Sequence, residues 1–345
     1  MRKGHTVSDF KRKSFILFLI ISMTFIGIFG SLFIGRYPLT WSDIIKVLST
    51  AINPLQKKTY PDIYNTIIWK IRLPRAILGA MVGGSLAISG AAFQGLFRNP
   101  LVSSGILGVS SGASFGAVLA IILYGQNYMV YFFAFGFALL AVIMSFFIGQ
   151  IYHSTPTVTL VLGGVIVSSI FSALVSFAKF VADPFEKLPS ITFWLMGSLA
   201  TAQYKDIIFS IIPISVGVIG LVALRWQINI LSMGDKEAQA LGIDNLLTKI
   251  IMVIFASLAT AGAISVCGNV GWVGLVMPHI GRMLLGNDNR ILIPASFFLG
   301  SFFMIVVDNL SRSLIGSEIP LGILTALIGG PFFVYLLKKT KGKGW

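Results

Sequence analysis

The chain has 345 residues, 56% of them hydrophobic and only 11% charged, with a mean hydropathy of +0.89. A soluble domain carries roughly 25% charged residues, so a soluble enzyme or binding module is excluded at the outset. Twenty-six Lys and Arg against twelve Asp and Glu give a net charge of +14. In a membrane chain that excess serves topology and anionic lipid rather than nucleic acid.

The first apolar run, Ser14 to Gly35, follows Arg2, Lys3, Lys11, Arg12 and Lys13. It is longer than a signal-peptide core and no small-residue cleavage site follows, so it reads as an anchoring helix with residues 1–13 as a cytoplasmic tail. Further runs cover about Ala76 to Phe93, Ile106 to Tyr124, Tyr128 to Ile151, Val158 to Ala178, Ile207 to Leu224, Leu246 to Val266, Val270 to Leu285, Ile291 to Val307 and Pro320 to Leu337. At about 20 residues per span, these ten runs make an all-α, polytopic membrane protein of ten transmembrane helices with no room for a large soluble domain. A shorter apolar segment, Leu188 to Gln203, reads as an interfacial helix on the outer side. No linker or fixed-period repeat divides the chain, and one membrane domain is expected.

An even count returns the C-terminus to the starting side. The basic tail at residues 338–345, with Lys338, Lys339, Lys341 and Lys343, matches the basic head, so both termini are expected in the cytoplasm of a cell-membrane protein. The same alternation puts Arg98, Arg225, Lys236, Lys249, Arg282 and Arg290 inside. One loop breaks the pattern. The connection after the first span carries Arg36, Lys46, Lys57, Lys58, Lys70, Arg72 and Arg75 against Asp43 and Asp62, yet it falls outside. Either the count is off by one there or that surface has a reason to be positive.

Single Cys267 excludes an intramolecular disulfide, and His5, His153 and His279 are too scattered to suggest a metal site. No G-x-x-x-x-G-K-[ST] run is present, so the chain has no P-loop for ATP. No cofactor and no catalytic cluster are expected, and the chain is read as a non-enzyme. Asp308 is the one candidate carboxylate for an ion relay; its other reading is a local pair with Arg312 one turn later. Without an ATP site or an evident relay, the energy for transport is expected from a partner.

Gly79 and Gly83, and Gly108, Gly112 and Gly116, are spaced to line helix faces. Ser110, Ser111, Gly112 and Ser114 read either as ordinary packing or as a weakly polar pathway face. Gly329-Gly330-Pro331 and Met277-Pro278-His279 read as interruptions of later helices.

Four stretches in order carry a family resemblance. They are residues 71–75 (IRLPR) running into Gly79 to Gly90; Asn99-Pro100-Leu101 followed by residues 105–112 (GILGVSSG); residues 271–282 (GWVGLVMPHIGR); and residues 320–331 (PLGILTALIGGP). The chain resembles, over nearly its whole length, the FecCD family of ABC importer permeases that serve iron-siderophore, haem and vitamin B12 uptake. It departs from the family pattern at Ser103-Ser104, where a proline is common.

The resemblance implies a type II importer permease of the vitamin B12 permease-like fold. Its partners would be a second permease subunit, identical or paralogous, two ATP-binding subunits on the inside, an extracytoplasmic substrate-binding protein, and membrane lipid. It implies that Arg72, Arg75 and Arg312 dock the binding protein, which offers a reason for the positive loop. It also implies that the inner connection, Arg225 to Lys249, contains the coupling helix with Asp235, Lys236, Glu237, Ala238, Leu241 and Gly242. From its residues alone that segment reads as a surface connector in which Ser232 opens a short helix and Gly242 ends it. The expected function is import of an iron-siderophore complex, with haem or cobalamin as alternative cargo and an ion-coupled secondary transporter as the alternative class.

Overall fold

The computed structural model describes residues 3–53, 59–150 and 157–339. Arg2, Lys57, Lys58, His153, Lys341 and Lys343 lie outside them. The described residues form helices in the order α1 (Lys3–Ser31), α2 (Trp41–Ile52), α3 (Asp62–Asn65), α4 (Leu73–Phe97), α5 (Val109–Tyr124), α6 (Met129–Gly149), α7 (Thr157–Val181) and α8 (Lys187–Met196). The order continues with α9 (Tyr204–Ala223), α10 (Arg225–Leu231), α11 (Asp235–Ala240), α12 (Asn245–Cys267), α13 (Val273–Leu285), α14 (Asn289–Ser313) and α15 (Leu321–Lys339).

Among the described residues each of the ten apolar runs forms a helix; Ile151, at the end of the fourth, lies outside them. Seven are long and apolar enough to cross a membrane, while α5, α13 and the apolar part of α15 are shorter. A π-helical stretch, Thr66–Arg72, joins α3 to α4, with the Leu73 N–H bonded to the Ile68 carbonyl five residues back. The wide turn sits directly before Pro74, whose ring lacks a donor and crowds the preceding turn.

Helix α4 is the axis of the bundle. Of its span 89% is buried, against 17% for α1 at the periphery. It packs on α14, α12, α13 and α9, and its run of Gly, Ala and Ser explains why so many helices can surround it. Gly83 of α4 and Gly300 of α14 meet backbone to backbone, and a Cβ at either would strike the other's carbonyl. A Cβ at Gly90 would strike the Gly274 carbonyl of α13, and one at Gly274 would meet the Leu86 carbonyl of α4. Two cross-helix hydrogen bonds reinforce the seams: Ser301 Oγ donates to the Ala80 carbonyl at 2.8 Å, and Thr24 of α1 donates to Phe298 of α14 at 2.9 Å.

Three expectations change. Gly112 and Gly116 do share a face, which lies against the Phe137 and Phe133 carbonyls of α6, but Gly108 sits outside α5 as its left-handed N-cap. Helices α13 and α15 run through Pro278 and Pro331 without a break. The recess at Gly329 instead receives Trp272, which has a positive φ of 67° and meets Phe333 edge-on at 6.4 Å between ring centroids. Ser232 closes α10 rather than opening α11; its hydroxyl donates back to the Asn229 carbonyl at 2.6 Å. Gly242, with φ +79°, does follow the end of α11, where the Ile243 N–H reaches the Ala238 carbonyl.

Gly300→Val should overpack the α4–α14 seam at a cost of about 1–3 kcal/mol or more. Its melting midpoint in detergent, followed by size-exclusion chromatography after heating, should fall well below wild type. Gly30→Ala, in open space, should match or slightly exceed wild type.

Candidate functional site

Three positions singled out in the sequence converge at one end of the bundle. Arg72 follows the π turn, Arg75 lies in the first turn of α4, and Arg312 lies in the last turn of α14. All three are buried, with 2%, 4% and 5% exposure, and their guanidinium groups act on partners within the chain. Arg75 Nε donates to both oxygens of Asp308, at 2.8 and 3.0 Å, and its two terminal nitrogens form a fork on Glu318 at 2.9 Å each. Arg72 donates to the carbonyls of Leu32 and Tyr37 at 2.6 and 2.7 Å. Arg312 donates to the Ser31 carbonyl at 2.9 Å and also bonds the Ser31 hydroxyl and Asn309.

The local logic is that α1 ends at Ser31 with unpaired carbonyls at the negative end of its dipole. Arg72 and Arg312 cap that end with charge, and Gly35 leaves room for the Arg72 guanidinium, which a Cβ would approach to 2.8 Å. The Asp308–Arg312 pair exists at 3.7 Å, beyond hydrogen-bond length; Arg75 of another helix takes the short bonds. Sequence spacing can show an i,i+4 partner but not one 233 positions away.

The opposite end of α4 carries a second polar seam. Gln94 donates to the Val102 carbonyl at 3.0 Å and accepts from Arg282 of α13. Asn229 Oδ1 of α10 accepts the Asn289 N–H that opens α14, at 2.9 Å. With 25 residues in α4 and about 1.5 Å rise per residue, this seam and the arginine cluster are separated by roughly the thickness of a bilayer core.

Helix α11 lies on the seam end, between α10 and α12. Ala238 is fully buried, Lys236, Glu237, Leu241 and Gly242 are exposed, and Asp235 turns toward α12. Asp235 accepts from Lys249 at 2.7 Å, and its carbonyl accepts from Asn245 at 2.7 Å, so the first turns of α12 are tied to α11. Large apolar side chains project around it: Met233 is 64% exposed and Leu241 58%.

Ser110 and Ser111 are half-buried, Ser114 is buried, and Gly112 is closed off by α6. A longer hydroxyl stripe, missed in the sequence reading, lies on α7. Ser169, Ser172 and Ser176 are all exposed and share a face by their 3- and 4-residue spacing. The signal was present in that spacing within an otherwise apolar run.

The described residues thus form a bundle of long apolar helices with a buried ionic cluster at one end and a short polar helix at the other, the build of a multi-pass membrane protein. The match to the FecCD transport family covers residues 23–339, and the chain belongs to that family. It is an ABC importer permease. It is 40% identical over 338 residues to the molybdate import system permease protein MolB of Haemophilus influenzae, covering 95% of this chain and 97% of that one. It is 40% identical over 276 residues to a probable iron chelatin transport system permease protein of Helicobacter pylori, covering 80% and 83%. A solved structure of an ABC transporter assigned to the metal-chelate type, in an inward-facing conformation, superposes with a TM-score of 0.82 at 38% identity, over 94% of this chain and 99% of that one.

Removing one member of the buried pair should cost about 3–5 kcal/mol, because the other charge is left uncompensated. Arg75→Met and Asp308→Leu should each lower thermal stability sharply in detergent. The double variant should recover much of the loss, and the coupling energy from the double-mutant cycle measures the pair.

Proposed function

We propose that the chain is one single-domain transmembrane subunit of a nucleotide-driven importer, with ten crossings and both termini cytoplasmic. A second permease subunit, identical or paralogous, completes the conduit, and two ATP-binding subunits supply the energy from the α11 side. The observation that carries this reading is the α10–α11 segment. It presents Met233 and Leu241 outward as apolar knobs while Asp235–Lys249 ties it to α12, so force applied to α11 is delivered to a membrane helix. Residues Asp235, Lys236, Glu237, Ala238, Leu241 and Gly242 form this coupling element.

An extracytoplasmic binding protein docks at the opposite end. Because Arg72, Arg75 and Arg312 are buried, they act there by holding the ends of α1, α4 and α14 in place. Glu318, whose side chain is 23% exposed, is the member of the cluster nearest to water. The exposed serines of α7, with the half-buried Ser110 and Ser111 of α5, supply a weakly polar face for cargo that must not bind tightly in transit, while Gly112 and Ser114 support that face from within the bundle.

The cargo is a metal species in complexed form. An iron chelate is the first reading, supported by the Helicobacter relative and by the metal-chelate structure. Molybdate is the second, supported by the likeness to MolB over nearly the full length of both chains.

The test is uptake in proteoliposomes holding the whole complex. Radiolabelled ferric chelate should accumulate only with ATP, and excess molybdate should not compete. Competition by molybdate supports the second cargo, and uptake that follows a proton gradient without nucleotide refutes the ABC reading. Leu241→Glu and Lys249→Met should leave ATP hydrolysis measurable while uptake per ATP falls at least several-fold. A normal ratio in both would remove the coupling role.

A further inference from the structure

We propose that α2 is an interfacial helix of the outer leaflet, with its exposed apolar stripe in the acyl-chain region and the cations around it on anionic lipid headgroups. The proposal rests on the topology above for which leaflet is involved.

Helix α2 has three sectors. Ile44 and Val47 are fully buried against the end of α1 and the π-helical stretch, in a cluster with Leu32 and Ile68. Ser42, Asp43, Lys46, Ser49 and Thr50 form a polar sector. Between them, Trp41, Ile45, Leu48 and Ile52 align at spacings of 4, 3 and 4 residues. This third sector is apolar and, apart from the half-buried Leu48 that packs on the same cluster, open: Trp41 is 70% exposed, Ile45 57% and Ile52 86%. The start of the helix is fixed by a capping box, with the Thr40 N–H donating to the Asp43 carboxylate at 3.1 Å and the Asp43 N–H donating back to Thr40 Oγ1 at 3.2 Å, and the Thr40 hydroxyl also donates to Asp43 at 2.7 Å. That hydroxyl bond holds the Asp43 carboxyl below the usual carboxylate range, so it stays charged.

Two observations identify what covers the stripe. The first is continuity. On α1, Phe25, Ile26 and Phe29 are each more than half exposed on a span that is only 17% buried, so they face acyl chains. Phe29 meets Phe33 at 5.3 Å between ring centroids, and Phe33 meets Trp41 at 4.3 Å. An unbroken aromatic ladder therefore runs from the lipid face of α1 onto α2 and ends in a Trp, the side chain favoured at the membrane–water boundary. The second is charge. Arg36 before the helix, Lys46 on its polar sector and Lys70 on the adjoining π-helical stretch are all exposed, and cations beside an apolar stripe are the pattern of a helix lying on anionic lipid. This gives the positive loop, which contradicts the usual charge bias of outer loops, a physical role.

The test is nitroxide labelling of Ile45→Cys, Ile52→Cys and Lys46→Cys in the reconstituted complex, with Phe25→Cys as the lipid-facing reference. Cys267 is buried, so labelled wild type serves as the blank. Ile45 and Ile52 labels should collide with oxygen several-fold more than with a water-soluble nickel chelate, approaching the Phe25 label, while the Lys46 label shows the reverse. Their ratio should also rise when phosphatidylglycerol replaces part of the phosphatidylcholine. Nickel access at Ile45 equal to that at Lys46 overturns the proposal. So does an unchanged ratio with anionic lipid, or shielding of Ile45 that appears only when binding protein is added. A Phe25 label open to nickel would instead overturn the spanning topology itself.

Discussion

Charged groups inside a membrane protein must be neutralised by one another or by oriented dipoles, because water is absent and the desolvation of each ion amounts to several kcal/mol. The cluster at the N-terminal end of α4 meets that constraint. Three guanidinium groups face two carboxylates, and the remaining positive charge is met by the carbonyls of Ser31, Leu32 and Tyr37 at and just beyond the C-terminal end of α1. The arrangement joins α1, α4, α14 and the segment before α15 at one point. Its geometry is demanding, since Arg75 must reach Asp308 on one side and Glu318 on the other. That reach exists only if α4 and α14 approach closely along their length, which is the contribution of Gly83 and Gly300. The ionic cluster and the small-residue seam are therefore one device. The seam brings the two helices into register, and the cluster penalises any other register.

The two ends of the bundle differ in mechanical character. The arginine end is locked by charge-assisted, multiply bonded contacts among buried groups, whereas the α11 end is held by Gln94 and Arg282, by Asn229 and the start of α14, and by the pair of buried Lys249 with half-exposed Asp235. A short helix anchored to α12 by an ion pair and by a hydrogen bond from the Asn245 side-chain amide can pass on displacement without the rest of the bundle having to melt. In a permease that takes its energy from a separate subunit, such an element belongs on the inner side.

Much of this was legible in the residues. Each of the ten apolar runs forms a helix among the described residues, because a bilayer-length apolar segment has few alternatives to an internally bonded helix. The family motifs were readable too, and the structure gives them physical work: the arginines of the first cap α1 and meet the α14 carboxylate, and Trp272 of the third fills the recess left by Gly329 of the fourth. What could not be read was orientation. Whether an arginine near a helix end points to water or into the protein depends on partners hundreds of positions away, so Arg72, Arg75 and Arg312 read as surface cations until Asp308 and Glu318 are placed beside them. Ser232 was misplaced for a similar reason, since a serine before an acidic turn fits both the end of one helix and the start of the next.

Glycine raises the same ambiguity in a membrane chain. Met277-Pro278-His279 and Gly329-Gly330-Pro331 suggest broken helices by local chemistry, yet both helices are continuous. A proline removes one donor, and in a packed bundle the freed carbonyl can be covered by neighbours at little cost. The glycine before it then answers to the helix across the seam rather than to its own. In this fold small residues mark where another backbone or a large side chain approaches, at Gly83, Gly90 and Gly329 alike. The short polar segment around α11, bounded by two glycines with positive φ, Gly234 and Gly242, is where a driving subunit can act without disturbing the seams that keep the conduit intact.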